Sequence, residues 1–331
     1  MKRVLKIAGF LVLGLVAVAG VAGAWLYVRK PASASPTAIR VEATPARLAR
    51  GEYLFHLADC DGCHSERDFS RFGGPLAPAG RLAGNVFPRE MGLPGTAVAA
   101  NISPDVETGI GGWTDGEKIR AIREGVDREG RALFPMMPYG GFSHMSDQDV
   151  YSLVAYLNSL PAVKKRQPVT RIDFPVNMLI KGEPKPVGQV PEPDRGDRVK
   201  YGRYLVQIAG CQDCHKATLE GGEKFNLPGG PVAVSANISP DRQTGIGKWS
   251  EQQFVEKFTS YRPYVEKGSP VAGPESFTMM PWLNFSHLAE DDLRAIYAYL
   301  RTLPPVNKAV ETHPGYGPQA KQVLVSAPGG K

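Results

Sequence analysis

The pattern of apolar and polar positions begins with an uninterrupted apolar run near the N-terminus. Between Ile7 and Val28 the chain carries 22 residues without a charge. A helix rises about 1.5 Å per residue, so this run is long enough to cross the hydrocarbon core of a bilayer. The pattern predicts one transmembrane helix, and residues 1–30 form an N-terminal membrane anchor or signal segment. A cleaved signal peptide stays open as the alternative, because residues 32–34 read Ala-Ser-Ala, which resembles a cleavage site.

The remainder of the chain contains a tandem repeat. Each half carries the same short strings in the same order. The repeated strings are Gly-x-Tyr-Leu at 51–54 and 202–205, Asn-Ile-Ser-Pro-Asp at 101–105 and 237–241, and Met-Met-Pro-aromatic at 136–139 and 279–282. The repeat predicts two similar domains at residues 47–161 and 196–306, joined by a proline-rich linker at 162–195. Residues 307–331 are then a C-terminal tail.

Both repeats are predicted to be helical. Each ends on an apolar pattern with helical spacing, which is terminated by Pro161 or Pro304. Thr114 and Ser250 stand at the start of an earlier helix in a capping-box pattern. The apolar positions of the final helices are Val150, Leu153, Val154, Leu157 and Leu160, and Leu293, Ile296, Tyr297, Leu300 and Leu303. The predicted fold class is all-α, with two tandem helical domains after the transmembrane helix.

The charge of the chain argues against a nucleic-acid partner. There are 39 basic and 33 acidic residues, a formal charge of +6. Five of the basic residues flank the apolar run, and without them the balance is 34 against 33, or +1. Such a balance provides no concentrated basic face for phosphates. Three of the five precede the run and two come after it, which favours a cytoplasmic N-terminus. The five are Lys2, Arg3, Lys6, Arg29 and Lys30.

The candidate chemistry lies in four cysteines, which form two C-x-x-C-H motifs. Two thiols about one helical turn apart can form thioethers with the two vinyl groups of one porphyrin, and the adjacent histidine becomes the proximal iron ligand. A zinc site or a thioredoxin-like pair also uses C-x-x-C but has no need of a following histidine twice. The motifs predict two covalently bound haem c groups, at Cys60, Cys63, Cys211 and Cys214, with His64 and His215 as iron ligands.

The second axial ligand should come from groups at equivalent positions of both repeats. Met137 and Met280 are favoured, because the proline after each fixes its own backbone dihedral and helps to hold the loop over the iron. Met136 and Met279 are then expected to be core residues. His144 and His287 also lie at equivalent positions, so bis-histidine coordination stays open as an alternative.

With these residues the chain resembles the cytochrome c subunits of membrane-bound periplasmic dehydrogenases of the alcohol and gluconate type. The resemblance rests on the two haem motifs, the Asn-Ile-Ser-Pro-Asp runs leading to Trp113 and Trp249, and the Met-Pro-Tyr/Trp loops. It implies tandem class I cytochrome c domains and a dehydrogenase as partner. The chain departs from those subunits, which resemble three-haem proteins with a cleaved leader, because it has two motifs and a long apolar run.

The predicted function is that of a membrane-anchored dihaem cytochrome c. It would transfer single electrons between a periplasmic dehydrogenase or respiratory-complex subunit and a downstream acceptor, such as a soluble cytochrome or a terminal oxidase. Its predicted location is the bacterial inner membrane, single-pass, with the haem domains in the periplasm. Because His/Met ligation saturates the iron, no catalytic residue is assigned.

Two alternatives for the function stay open. One is a dihaem redox enzyme, similar to a peroxidase or a thiosulfate dehydrogenase, which would need an open iron or an unusual ligand. The other is an integral cytochrome subunit of a quinol-oxidising or terminal oxidase complex.

Overall fold

The computed structural model describes residues 2–78, 80–227 and 230–316 of the chain. This part is mostly helical, which confirms the predicted all-α class with its N-terminal apolar helix. The helices are α1 (Lys2–Val28), α2 (Pro45–Leu57), α3 (Cys60–His64), α4 (Asp115–Glu124), α5 (Tyr139–Phe142), α6 (Asp147–Ser159), α7 (Val176–Leu179), α8 (Arg198–Ile208), α9 (Cys211–His215), α10 (Glu251–Thr259), α11 (Arg262–Lys267), α12 (Trp282–Phe285) and α13 (Glu290–Leu300).

Short strands form two small antiparallel sheets. They lie in the loops after the C-x-x-C-H motifs and in the linker, and the pattern of apolar residues does not predict them. The strands are β1 (Asn85–Phe87), β2 (Gly95–Ala99) and β3 (Arg171–Ile172), in the order β1-β2-β3, and β4 (Lys224–Asn226) paired with β5 (Val232–Val234).

Helix α1 exposes its apolar side chains. Thirteen of the large ones between Val4 and Val28 are 58–73% exposed, and Leu26 is half-buried. The segment Gly9–Val28 is long and apolar enough to cross a membrane, a property shared by signal sequences near an N-terminus. After α1 the chain runs along the first repeat, where the amide of Ala34 donates to the Glu124 carboxylate at 2.8 Å.

Each repeat is built on two closely crossing helices, α2 with α6 and α8 with α13. The glycine of each Gly-x-Tyr-Leu string lies at the crossing. A Cβ on Gly51 would approach the backbone oxygen of Ser152 to 2.0 Å, and one on Gly202 would approach that of Ala295 to 1.9 Å. These repeated glycines allow the two backbones to meet, so the strings encode the central packing of each repeat.

The N-caps lie where the sequence predicts them. Thr114 and Glu117 form a capping box at the start of α4, and Ser250 and Gln253 form the equivalent one at α10. Each box satisfies amide groups that have no partner within the helix. The equivalent starts of α4 and α10 give the two repeats the same helical frame.

The proline-rich linker lies against the first repeat along much of its length. Strand β3 belongs to this segment and pairs with β2. The amide of Val190 donates to the carboxylate of Asp147 at 3.2 Å. The start of the predicted tail also packs, since the amide of Val234 donates to the carbonyl of Thr312 at 2.8 Å. Residues 317–331 of that tail lie outside the described residues.

The two repeats contact each other in a reciprocal way. The Tyr53 hydroxyl donates to the Asp292 carboxylate at 2.5 Å, and the Tyr204 hydroxyl donates to the Asp149 carboxylate at 2.5 Å. The two tyrosines are equivalent in the repeat, and so are the two aspartates. Reciprocal contacts of this kind indicate an approximate two-fold relation between the repeats. We refer to these contacts as the tyrosine–aspartate pairs.

Candidate functional site

The two C-x-x-C-H motifs form the short helices α3 and α9. Each comes directly after a residue in the left-handed conformation, Asp59 with φ 48° and Gly210 with φ 63°. This turn separates the motif from the preceding long helix. In the first repeat, a Cβ on Gly62 would approach Oδ2 of Asp59 to 2.0 Å, so a larger residue there would require the Asp59 side chain to move.

The histidine of each motif is oriented by a backbone carbonyl. Nδ1 of His64 lies 2.8 Å from the oxygen of Ala100, and Nδ1 of His215 lies 2.7 Å from that of Ala236. Because a carbonyl only accepts, Nδ1 carries the hydrogen and Nε2 keeps a free lone pair. Burial lowers the pKa of both histidines, which favours the neutral form. A neutral imidazole with a fixed tautomer is suited to bind a metal through Nε2.

The Asn-Ile-Ser-Pro-Asp runs hold these carbonyls in place. Each run begins one residue after Ala100 or Ala236, and its asparagine is buried. The side chain of Asn101 donates to the carbonyl of Val163 at 2.7 Å, and that of Asn237 donates to the carbonyl of Val306 at 2.8 Å. Sequence reasoning missed this positioning role, although the repetition of the runs indicates a common role in both halves.

The four motif cysteines form no disulfide, so all four sulfurs are available for thioether bonds. Burial is the main cause that raises the pKa of each, to about 12 for Cys63 and Cys211 and to about 11 for Cys214. The pKa of Cys60 is raised well above its ordinary value, also by burial first. Such thiols are protonated at neutral pH, unlike the low-pKa thiolate of a thioredoxin-like site. The described ranges contain no group of three or more histidine, cysteine and acidic residues arranged around a common metal position.

The methionine loops have the same conformation in both repeats. The carbonyl of Met137 accepts from the amide of Tyr139 at 2.8 Å, and the carbonyl of Met280 accepts from that of Trp282 at 2.8 Å. Met137 and Met280 are half-buried and pack against the hydrophobic core. Met136 and Met279 are outside the core cluster and outside the set of residues packed on it. Their assignment as core residues is therefore wrong.

The two histidines that could give bis-histidine coordination lie in exposed positions. His144 lies just after α5 and is exposed. His287 stacks on His56 of the other repeat, with ring centroids 4.1 Å apart and an interplanar angle of 12°. Nδ1 of His56 in turn lies 2.9 Å from the side-chain oxygen of Asn284. The structure therefore brings His287 into the contact between repeats.

The architecture defined by these observations is a tandem of small helical domains, each with a C-x-x-C-H helix and a methionine loop. The cytochrome c family matches this chain twice, at residues 48–161 and 199–304. The chain belongs to the cytochrome c family, a class of haem proteins, and consists of two cytochrome c domains.

Several characterised proteins are similar to the chain over most of its length. A diheme cytochrome c-type protein of Cereibacter sphaeroides is 31% identical over 308 residues, which cover 89% of this chain and 97% of that protein. The cytochrome c subunit of the quinone-dependent alcohol dehydrogenase of Gluconacetobacter polyoxogenes is 29% identical over 86% of this chain. The gluconate 2-dehydrogenase cytochrome c subunit of Pantoea cypripedii is 29% identical over 79% of it. The matches span 62% and 60% of the two dehydrogenase subunits.

The residues present fit a haem group in each repeat. Two thiols and a histidine with a free Nε2 are the donors that covalent haem attachment needs. In the first repeat the hydroxyl of Tyr139, in the loop after Met137, is buried without a hydrogen-bond partner among the described residues. A buried hydroxyl of this kind calls for an acceptor. A haem propionate is a suitable one.

Proposed function

We propose that this chain is a membrane-anchored dihaem cytochrome c that transfers single electrons from a periplasmic dehydrogenase to a downstream acceptor. Each repeat holds one haem c through two thioethers and two axial ligands. The proposed attachment and ligand residues are Cys60, Cys63, His64 and Met137 in the first repeat, and Cys211, Cys214, His215 and Met280 in the second. The observation that carries the proposal is the Nδ1–carbonyl contact of the motif histidine, which occurs in both repeats.

The ligand set favours electron transfer over catalysis at the iron. A haem c supplies a one-electron iron couple when bound. The motif histidine and the methionine of each repeat would hold the iron from both sides and would leave no position for a substrate. The half-buried Met137 and Met280 pack against the core, so their loops would offer a bound haem an apolar surface. A dihaem redox enzyme would require one of these ligands to leave, and it is the alternative that an experiment must exclude.

The packing of the repeats supports electron exchange within the chain. The side-chain amide of Asn284, in the second repeat, donates to the carboxylate of Asp59, the residue before Cys60. The second repeat therefore contacts the first directly beside its C-x-x-C-H motif. The tyrosine–aspartate pairs hold the repeats in this arrangement. One repeat can then accept an electron from the donor while the other delivers it.

A periplasmic dehydrogenase is the proposed donor because two of the relatives are named as cytochrome c subunits of alcohol and gluconate dehydrogenases. Helix α1 supports a single-pass anchor, with both domains on the periplasmic side of the bacterial inner membrane. An integral role in a quinol-oxidising or terminal oxidase complex would use the same anchor. Purification of the native membrane complex, with identification of the copurifying chains, separates these assemblies.

The haem assignment is tested by pyridine haemochrome spectra of the purified chain. The spectra should be of the c type and correspond to two haems per chain. The double variant Cys211→Ala with Cys214→Ala should retain one haem, attached to the first repeat. Retention of two haems would contradict the assignment.

Carbon monoxide distinguishes the carrier from the redox enzyme. The reduced native protein should show no substantial spectral change with carbon monoxide, since both axial positions are filled. A large shift under native conditions would indicate an accessible iron and would favour the enzyme.

A further inference from the structure

A single-turn helix of the linker lies beside the point where α1 ends. The Nζ atom of Lys181 donates to the carbonyl of Tyr27 at 2.6 Å. The guanidinium of Arg29 donates to the carbonyls of Met178 and Leu179, each at 3.4 Å. These bonds join α7 and the residues after it to the last turn of α1. The linker is therefore fixed at the level where a membrane-spanning α1 leaves the bilayer.

The same part of the linker exposes large apolar side chains. Phe174 is 74% exposed and Leu179 is 54% exposed. Trp25 and Tyr27, in the last turn of α1, are 58% and 68% exposed. Exposed apolar groups that lie together mark an interaction surface, and aromatic residues at the end of a span are typical of the membrane–water interface.

Basic side chains border these apolar residues. Lys30 is exposed just after α1, and Arg29 lies over the ring of Trp25 at 5.1 Å. Lys181 lies over the ring of Tyr27 at 5.7 Å. Apolar and aromatic side chains bordered by lysine and arginine are the chemistry of a segment that lies in the headgroup layer, because the apolar groups enter the acyl boundary and the cations meet phosphates.

We propose that residues 174–181 form a second membrane contact, in which Phe174 and Leu179 insert into the interfacial layer of the periplasmic leaflet. We refer to these residues as the linker contact. The inference rests on the proposed membrane anchor. Lipid is the chosen occupant because the linker contact is continuous with the end of α1, whose own apolar side chains are exposed along the helix.

A second contact restricts the orientation of the first repeat. A single helix would let the attached domain rotate about the membrane normal and tilt away from the surface. The linker contact adds a support on one side of α1, and β3 connects it to β2 of the first repeat. The first repeat is then held at a defined height and angle above the membrane, where an electron donor in the same membrane can reach it.

Photocrosslinking of the full chain in membranes tests the linker contact. The photoreactive amino acid p-benzoylphenylalanine is placed singly at Leu15 in α1, at Phe174, or at Val106. Leu15 reports the anchor, and Phe174 reports the linker contact. Val106 is the matched control, because it is 73% exposed in a loop of the first repeat. Each variant must carry the haem content of the wild type, and lipid adducts are identified by mass spectrometry of the labelled peptide.

Lipid adducts are expected at Leu15 and Phe174 and not at Val106. The additional substitution Leu179→Asp should reduce the adduct at Phe174 severalfold while leaving that at Leu15 unchanged. Lipid adducts at Leu15 alone would overturn the linker contact and leave the membrane anchor intact. The absence of lipid adducts at both Leu15 and Phe174 would overturn the anchor and the linker contact together. A protein adduct at Phe174 in place of lipid would also overturn the inference, since the surface would then bind a protein.

Discussion

At the scale of single residues, the two methionine loops differ in the aromatic residue that comes after the Met-Pro pair. Met137 precedes Pro138 and Tyr139, whereas Met280 precedes Pro281 and Trp282. The buried hydroxyl of Tyr139 is a hydrogen-bond donor at the end of its ring. The N–H of the Trp282 indole is also a donor, but it lies at a different position on the side chain. We therefore expect the two haems to have unequal potentials, although the ligands proposed for them are of the same types.

The variant Met137→His should lower the potential of one haem only. A thioether stabilises ferrous iron relative to imidazole, so the replacement shifts that site towards the ferric form. The weak near-infrared band of ferric His/Met haem should lose about half of its intensity, because one of two sites loses its methionine. Potentiometry and near-infrared absorption provide the measurements.

The neighbouring variant Met136→Leu is the control for this substitution. It should leave the near-infrared band intact, since Met136 is not a proposed ligand. If Met136→Leu removes part of the band and Met137→His does not, the ligand assignment within the pair is reversed.

A substitution of the buried Asn101 tests how the carbonyl of Ala100, which contacts His64, is held in place. The variant Asn101→Ala removes one of the two side-chain donors to the carbonyl of Val163 and the acceptor of the buried Ser103 amide, and should lower the free energy of unfolding by about 1–3 kcal/mol. The control Asn307→Ala removes an exposed side chain that is hydrogen-bonded to the side chain of Gln243. This variant should change the free energy of unfolding by no more than about 0.5 kcal/mol. Denaturant unfolding of the holoprotein gives both values, and equal effects would contradict the role of Asn101.

At the scale of helices and strands, the glycine at each central crossing has a consequence for stability. Gly51→Ala places a Cβ 2.0 Å from the oxygen of Ser152 and 2.6 Å from Cβ of Tyr156. Neither neighbour can move without shifting α6, so the free energy of unfolding should fall by on the order of 1–3 kcal/mol or more. Gly140→Ala is the control, because no atom lies within 4 Å of the added Cβ. Denaturant unfolding compares the two, and a neutral Gly51→Ala variant would show that the crossing is wider than described.

The sequence predicts the long elements and misses the short ones. The apolar spacing of α6 and α13 and the capping residues of α4 and α10 are local patterns, so they can be recognised without tertiary information. Strand β3 has two residues and α7 has four, which is too few for a period to appear. The cysteines and histidines of the site are predicted by the motif itself. The carbonyl of Ala100 is not, because it lies 36 residues from His64.

At the scale of the whole molecule, a sequence repeat does not indicate whether its copies touch. Tyr53 and Asp292 are 239 residues apart, and no local pattern connects them. Only the folded chain reveals that each repeat supplies a tyrosine to the other's aspartate. The proline-rich linker therefore joins two domains that already share an interface, and a change at that interface should reach both proposed haem sites.

The stacked histidines place a titratable group in this interface. Partial burial in the contact between repeats lowers the pKa of His287, and the neighbouring His56 ring lowers it further. Glu52 acts in the opposite direction, and Arg262 adds to the lowering. Because the folded pKa lies below the ordinary value of 6.5, protonation favours the separated or unfolded repeats. The stabilising contribution of the neutral ring is present above pH 6.5 and is lost as the pH falls through the folded pKa.

The midpoint of thermal unfolding should therefore fall more steeply with acidification in the wild type than in His287→Gln once the pH is below the ordinary histidine pKa of 6.5. Glutamine keeps a polar side chain of similar length but has no proton to bind, so the difference between the two curves isolates this residue from other groups. Scanning calorimetry of the oxidised holoprotein gives the curves. The variant should also retain the full near-infrared band, because His287 belongs to the interface and not to the iron. Parallel curves for the wild type and the variant would show that His287 does not cause the pH dependence of stability. Loss of near-infrared intensity in the variant would instead indicate that His287 is an iron ligand.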